Sequence, residues 1–247
     1  MTFVIDALGA DRSVALGICA GLTEADWAAP SGCAGWSVQD LISHLATTYW
    51  LVVDRSQLPD AGDRPAEAAN DFYVESRRDL SPAAVLADYE QASAKALDIL
   101  ATFDGQAAEL PLGDLGTYPL SVLPTAFAFE HYLHLRADLF APRGPLPAPP
   151  PPADEARLSS ALDWIQAALP QQNAAALATL DGAIELVLEG PAARVIRSGP
   201  GTVLATVTCA APDFPSAITQ RVTGESAGAR LVGTPAALAV VRQLKIF

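Results

Sequence analysis

No run of apolar residues in this chain approaches the roughly 18–20 that a membrane-spanning helix needs, so a membrane span is not expected. Cysteine and histidine are scarce, three of each in 247 residues. Cys19, Cys33 and Cys209 are far apart and odd in number, which argues against a disulfide framework or a CxxC clamp. Basic residues are also few, 15 Lys+Arg against 28 Asp+Glu for a net charge of −13, and that balance argues against a nucleic-acid partner. The N-terminus shows no basic region ahead of an apolar stretch, so no signal peptide is expected and a reducing cytoplasm is the simplest location. Also missing are a GxSxG turn, a P-loop, a dinucleotide-type glycine pattern at a strand–helix junction, and any internal repeat.

What remains is an apolar, proline-rich chain: 51% hydrophobic residues and 20 prolines. Its length exceeds one average domain, which favours two, each able to bury a core. The charge is distributed to match. Residues 1–141 hold 20 acidic and 7 basic residues, whereas 142–247 hold 8 of each. Seven prolines fall between Pro142 and Pro152, and a segment that lacks donors and has fixed φ reads as a stiff extended linker. The expected organisation is therefore a helical domain over 1–141, a linker over 142–152 and a second domain over 153–247.

Periodicity supports that division. Apolar residues recur at helix spacing over 13–28, and Ser37 with Asp40 forms a capping-box pattern ahead of a helix whose face is Val38, Leu41, Ile42, Leu45, Tyr49 and Val52. Residues 56–72 read as a polar connection. Pro82 opens a third helix to Phe103, and a fourth runs from about Ser121 to Phe140. Four such helices suggest a bundle. After the linker the pattern changes to short β-type runs at 183–188, 194–197, 203–209 and 229–232, between helices near 154–169, 214–221 and beyond Thr234-Pro235. The predicted fold class is α+β: a four-helix bundle followed by a small α+β domain.

One segment places ionisable groups where apolar ones belong. On the helix containing Phe129-Glu130-His131-Tyr132-Leu133-His134, Glu130 and His134 are one turn apart, and Asp138 continues the row. Leu123, Ala126, Phe127, Leu133 and Ala137 share that face. Burying such groups is costly unless they pair or bind a metal. His44 sits on the flank of the second helix's apolar stripe. Two His and one carboxylate form a catalytic metal set with a position left open; a hydrogen-bonded Glu–His or Asp–His pair is the structural alternative. His131 is about 100° off the ligand face, Trp36 reads as a hydrophobic staple, and Cys33 as a buried inert thiol.

The segment Cys33-Ala-Gly-Trp-Ser-Val-Gln-Asp-Leu-Ile-Ser-His44 resembles the motif Gly-Trp-[Ser/Thr]-Val-x-Asp-Leu-x-x-His of the mycothiol-dependent maleylpyruvate isomerase family, whose members are DinB-like four-helix metalloenzymes. Glu130-x-x-x-His134 is similar to that family's second ligand motif. Thr208-Cys-Ala-Ala-Pro-Asp-Phe and Gly233-Thr-Pro-Ala-Ala-Leu resemble its appended sterol-carrier-like domain. The resemblance implies that His44, Glu130 and His134 hold a divalent metal, usually zinc, and that mycothiol is the thiol cofactor. It further implies a small electrophilic substrate such as maleylpyruvate, undergoing cis–trans isomerisation or S-transfer. Arg221 looks like the Arg that the family carries in its second domain, a clamp for an oxyanion or carboxylate, with Arg230 as its rival. One departure stands out: the family has Asp three residues after the second His, whereas here position 137 is Ala and the acid is Asp138. Two alternatives remain at this stage, a DinB-like metalloenzyme acting on a larger substrate without a thiol, and a non-catalytic ligand-binding protein.

Overall fold

The computed structural model describes residues 2–152 and 154–247. The fold is α+β, and contacts divide it into two units: Met1–Ala108 with Pro119–Pro152, and Glu109–Tyr118 with Ala153–Phe247. Among the described residues no helix is long and apolar enough to cross a membrane.

In the first unit, helices α1 (Thr2–Ala20), α3 (Val38–Val53), α5 (Pro82–Ala101) and α6 (Leu123–Leu133) form the bundle. The helix expected over 13–28 is two helices. A new capping box starts at Thr23, whose hydroxyl accepts the Asp26 N–H while Asp26 accepts the Thr23 N–H, and this opens the short α2 (Glu24–Ala28). The same device at Ser37 and Asp40 opens α3, the central helix, in which Leu41, Ile42, Leu45 and Tyr49 are fully buried. Ser81 caps α5, with Pro82 in its first turn. The stretch 56–72, expected as a connection, contains the start of α4 (Ala66–Glu75). This helix packs on α3 and buries Tyr73 and Val74 near its C-terminal end, beyond the polar residues that disguise its beginning.

In the second unit, strands β3 (Ala183–Glu189), β4 (Arg194–Ser198), β5 (Val203–Ala210) and β6 (Arg230–Gly233) form one sheet in the order β4-β3-β5-β6. The β3–β5 pair is parallel and the two outer pairs are antiparallel. Helix α7 (Glu155–Gln172) contacts β4, and α10 (Pro235–Val241) contacts β5 and β6; α8 (Ala174–Leu177) and α9 (Phe214–Ile218) are short. The segment 109–118, which carries β1 (Glu109–Pro111) and the start of β2 (Thr117–Pro119), groups with this unit although it interrupts the first in sequence. Gln171 of α7 bonds both the N–H and the C=O of Thr117, and Tyr118 lies 4.7 Å from the Trp164 ring.

Candidate metal centre

The structure brings His44, Glu130 and His134 together. His44 lies within α3, 2% exposed, about two turns past its cap Ser37; Glu130 is near the end of α6 and His134 immediately follows that helix. Glu130 Oε2 is 3.0 Å from His134 Nε2 and 3.4 Å from His44 Nε2, and the two imidazole centroids are 5.3 Å apart. Ligand-type atoms of all three lie within 4.8 Å of one another. Glu130 is the most accessible of the three, with 29% of its side chain exposed, so the cluster is reached past the carboxylate.

Beyond Leu133 the helix widens. Residues His134–Asp138 form a π-helical turn, closed by the Leu139 N–H on the His134 carbonyl at 3.1 Å. A π turn accommodates one extra residue in an α-helix and is frequent at functional sites. Asp138, four residues after His134 rather than three, ends this turn with its Oδ2 2.9 Å from His134 Nδ1. Asp138 is fully buried. A carboxylate accepts, so His134 Nδ1 carries hydrogen and donates it.

The loop before α3 closes over this turn. The Gly32 N–H donates to the Asp138 carbonyl at 2.7 Å, Arg143 Nη2 donates to the Gly32 carbonyl at 2.6 Å, and Arg143 Nε faces Asp138 Oδ1 at 3.4 Å. Only glycine fits at position 32, since a Cβ there would lie 2.8 Å from Asp138 Cα. The loop also carries Cys33 and Trp36 to the site. Cys33 is not the buried thiol expected: it is half-buried, with Sγ 3.7 Å from His134 Nδ1. Trp36, expected as a hydrophobic staple, is placed beside His44. Its ring centroid is 5.0 Å from that of His44, and its Nε1 donates to Asp71 of α4 at 3.0 Å. Arg143, inside the proline-rich stretch read as a linker, and Gly32 were not found by sequence reasoning. Arg143 carried no signal; Gly32 had one, a glycine immediately upstream of the recognisable motif.

The electrostatics follow from this geometry. Burial raises the Glu130 carboxyl, but hydrogen bonds from His134 and then His44 outweigh it, and the group is held well below the usual carboxylate range. Burial opposes charge on His134 too, yet the neighbouring Cys33 and the bonds to Asp138, Cys33 and Glu130 raise it well above the ordinary imidazole value. His131 is different: it is fully buried among tyrosines away from the cluster, and desolvation lowers it to about 4.

Arg221 lies in the second unit, three residues past the end of α9 and directly after Gln220, a non-glycine residue at φ 58°. It lines a cavity of about 900 Å³ whose apolar wall includes Leu186, Val207, Phe214, Ile218 and Leu244. Arg230 is exposed at the start of β6.

Two imidazoles and a carboxylate gathered inside a helical bundle, with an outer carboxylate orienting one imidazole, form a donor set that could hold a metal ion. Residues 9–140, just over half of the chain, match the mycothiol maleylpyruvate isomerase N-terminal domain, and the chain belongs to that family. Its fold is similar to that of a crystallised mycothiol-dependent maleylpyruvate isomerase, with a TM-score of 0.60 at 16% identity over 89% of each chain. A histidine-to-alanine mutant of such an isomerase gives a TM-score of 0.59 with the same identity and coverage. No curated protein matches the sequence.

Proposed function

We propose that this protein is a divalent-metal enzyme, with zinc the expected ion, that activates mycothiol for cis–trans isomerisation of a small conjugated acid such as maleylpyruvate, or for transfer of the thiol to a related electrophile. Membership of the family supports the thiol and the substrate class. The observation that carries the metal is the convergence of His44, Glu130 and His134 from two helices 86 residues apart in sequence. The donor set fits a zinc-type cation. Because His134 already gives its Nδ1 hydrogen to Asp138, it can bond Glu130 only through a second proton on Nε2. A cation held by the same atoms would replace that proton.

A bound divalent cation would keep a small thiol in its thiolate form at neutral pH. The protein's own residues do the rest. His44, Glu130 and His134 supply the donors. Asp138 fixes the His134 tautomer and ring orientation, and Arg143 with Gly32 holds Asp138 in place. Trp36 packs against His44 at a tilt of 48°. The chemistry such a thiolate would supply is reversible addition to the conjugated double bond, so that rotation about the resulting single bond and elimination would return the isomerised alkene and the free thiolate. Arg221 is assigned, on the family resemblance, to a carboxylate clamp, since its planar fork matches that group.

The test is isomerase activity on maleylpyruvate with and without mycothiol. Activity that depends on the thiol and on the metal supports the assignment. Activity retained without any thiol favours a DinB-like enzyme of different chemistry. Stoichiometric binding of an apolar ligand with no turnover favours a binding protein, for which the apolar cavity of the second unit is the specific observation.

A further inference from the structure

The donor set is split between two helices, and coordination tolerates about 0.5 Å of misplacement. Directional hydrogen bonds inside the packed core add to the fixing of rotation and register. One buried side chain makes such bonds among α3, α5 and α6. His131 Nδ1 lies 3.0 Å from the Phe127 carbonyl, one turn back on its own helix. A carbonyl only accepts, so Nδ1 bears the hydrogen and Nε2 presents its lone pair. That lone pair faces the Tyr49 hydroxyl of α3 at 3.2 Å and the Tyr89 hydroxyl of α5 at 3.0 Å. Tyr49 is five residues beyond His44 on the same helix, about one and a half turns. Its ring stacks on Phe127 at 5.2 Å and 13°, which aims the hydroxyl at His131.

We propose that His131 is a positioning residue: by accepting the Tyr49 hydroxyl it fixes α3 against α6, so that His44 meets Glu130 and His134. This inference rests on the metal reading above. Tyr89 provides an internal comparison, since it addresses the same nitrogen from a helix that carries no donor.

The experiment uses the full-length protein and Co²⁺ as the probe, following its visible absorption band in titrations of wild type, Tyr49→Phe and Tyr89→Phe. Thermal unfolding of each metal-free protein serves as the stability control. Both variants remove one buried hydroxyl, keep the ring, and should lose similar stability. Tyr49→Phe is expected to raise the Co²⁺ Kd about tenfold, the low end for loss of an outer partner, and to change the band shape. Tyr89→Phe is expected to retain the wild-type band with a Kd within about twofold, well below that outer-partner range. A wild-type Kd and band in Tyr49→Phe, or equal weakening in both variants, overturns the positioning role and leaves the metal reading intact. A wild-type protein that takes up no Co²⁺ overturns both.

Discussion

The two units bury different things. In the first, ionisable side chains sit in the interior: Asp11, Asp40, His44, His131, His134 and Asp138 are all buried. Several are tied by hydrogen bonds or ion pairs, Asp11 to Arg136 at 2.8 Å, His134 to Asp138 at 2.9 Å, and His131 to two tyrosines. In the second, the buried polar residues among those described are the neutral Ser160, Asn173 and Ser198, and the notable interior feature is an apolar cavity edged by Arg221 and Arg242. Buried charge is costly unless paired, so the first unit's interior has the character of a chemical site, whereas the second unit's has the character of a shaped container. Substitutions should therefore separate metal chemistry from substrate handling.

The sharpest separation comes from the donors. His44→Ala should reduce affinity for Zn²⁺ or Co²⁺ by more than the roughly 10–100-fold typical of an outer partner, read by competition with a chelating dye, while circular dichroism keeps its helical signal. The converse test lies in the second unit. Arg221→Ala should leave metal content unchanged and lower turnover of a carboxylate substrate by about 10²-fold, the scale for removing one preorganised donor; Arg221→Lys should restore little, because an ammonium lacks the planar fork. Loss of metal in Arg221→Ala would break the comparison. Asp138→Asn keeps the shape of the side chain but removes its charge, and should weaken metal affinity about 10-fold or somewhat more, in the outer-partner range. The smallest effect concerns packing. Gly32→Ala must move the loop off the π turn, at a cost of about 1–3 kcal/mol in denaturant unfolding, with metal affinity falling only as the loop shifts.

Much of this site was legible before any coordinates. Glu130 and His134 could be paired because helix geometry places residues four apart on one face, and their apolar neighbours marked that face as interior. His44 was legible as a histidine at the edge of a core stripe. That it meets Glu130 follows from bundle topology, which periodicity does not encode. Asp138 was visible as the next step of the Glu130–His134 row, one residue off the family spacing, whereas the π turn that holds it has no signature in residue type. Arg143 was hidden among prolines that read as linker. It sits instead in a turn where the Gly144 N–H bonds the Phe140 carbonyl at 2.7 Å. Helix α4 was missed because its first residues are polar and its buried pair, Tyr73 and Val74, comes at the end. The cavity of the second unit depends on strands and helices distant in sequence, so no local pattern announces it.

The most direct measurement is elemental analysis of the purified protein beside His134→Ala. The expected result is about one equivalent of divalent metal per wild-type chain, as a three-donor open site would hold, and none in the variant at unchanged helical content. A wild-type protein free of metal that also refuses added Zn²⁺ or Co²⁺, or a His134→Ala variant that retains its full equivalent, would contradict the assignment of these three side chains.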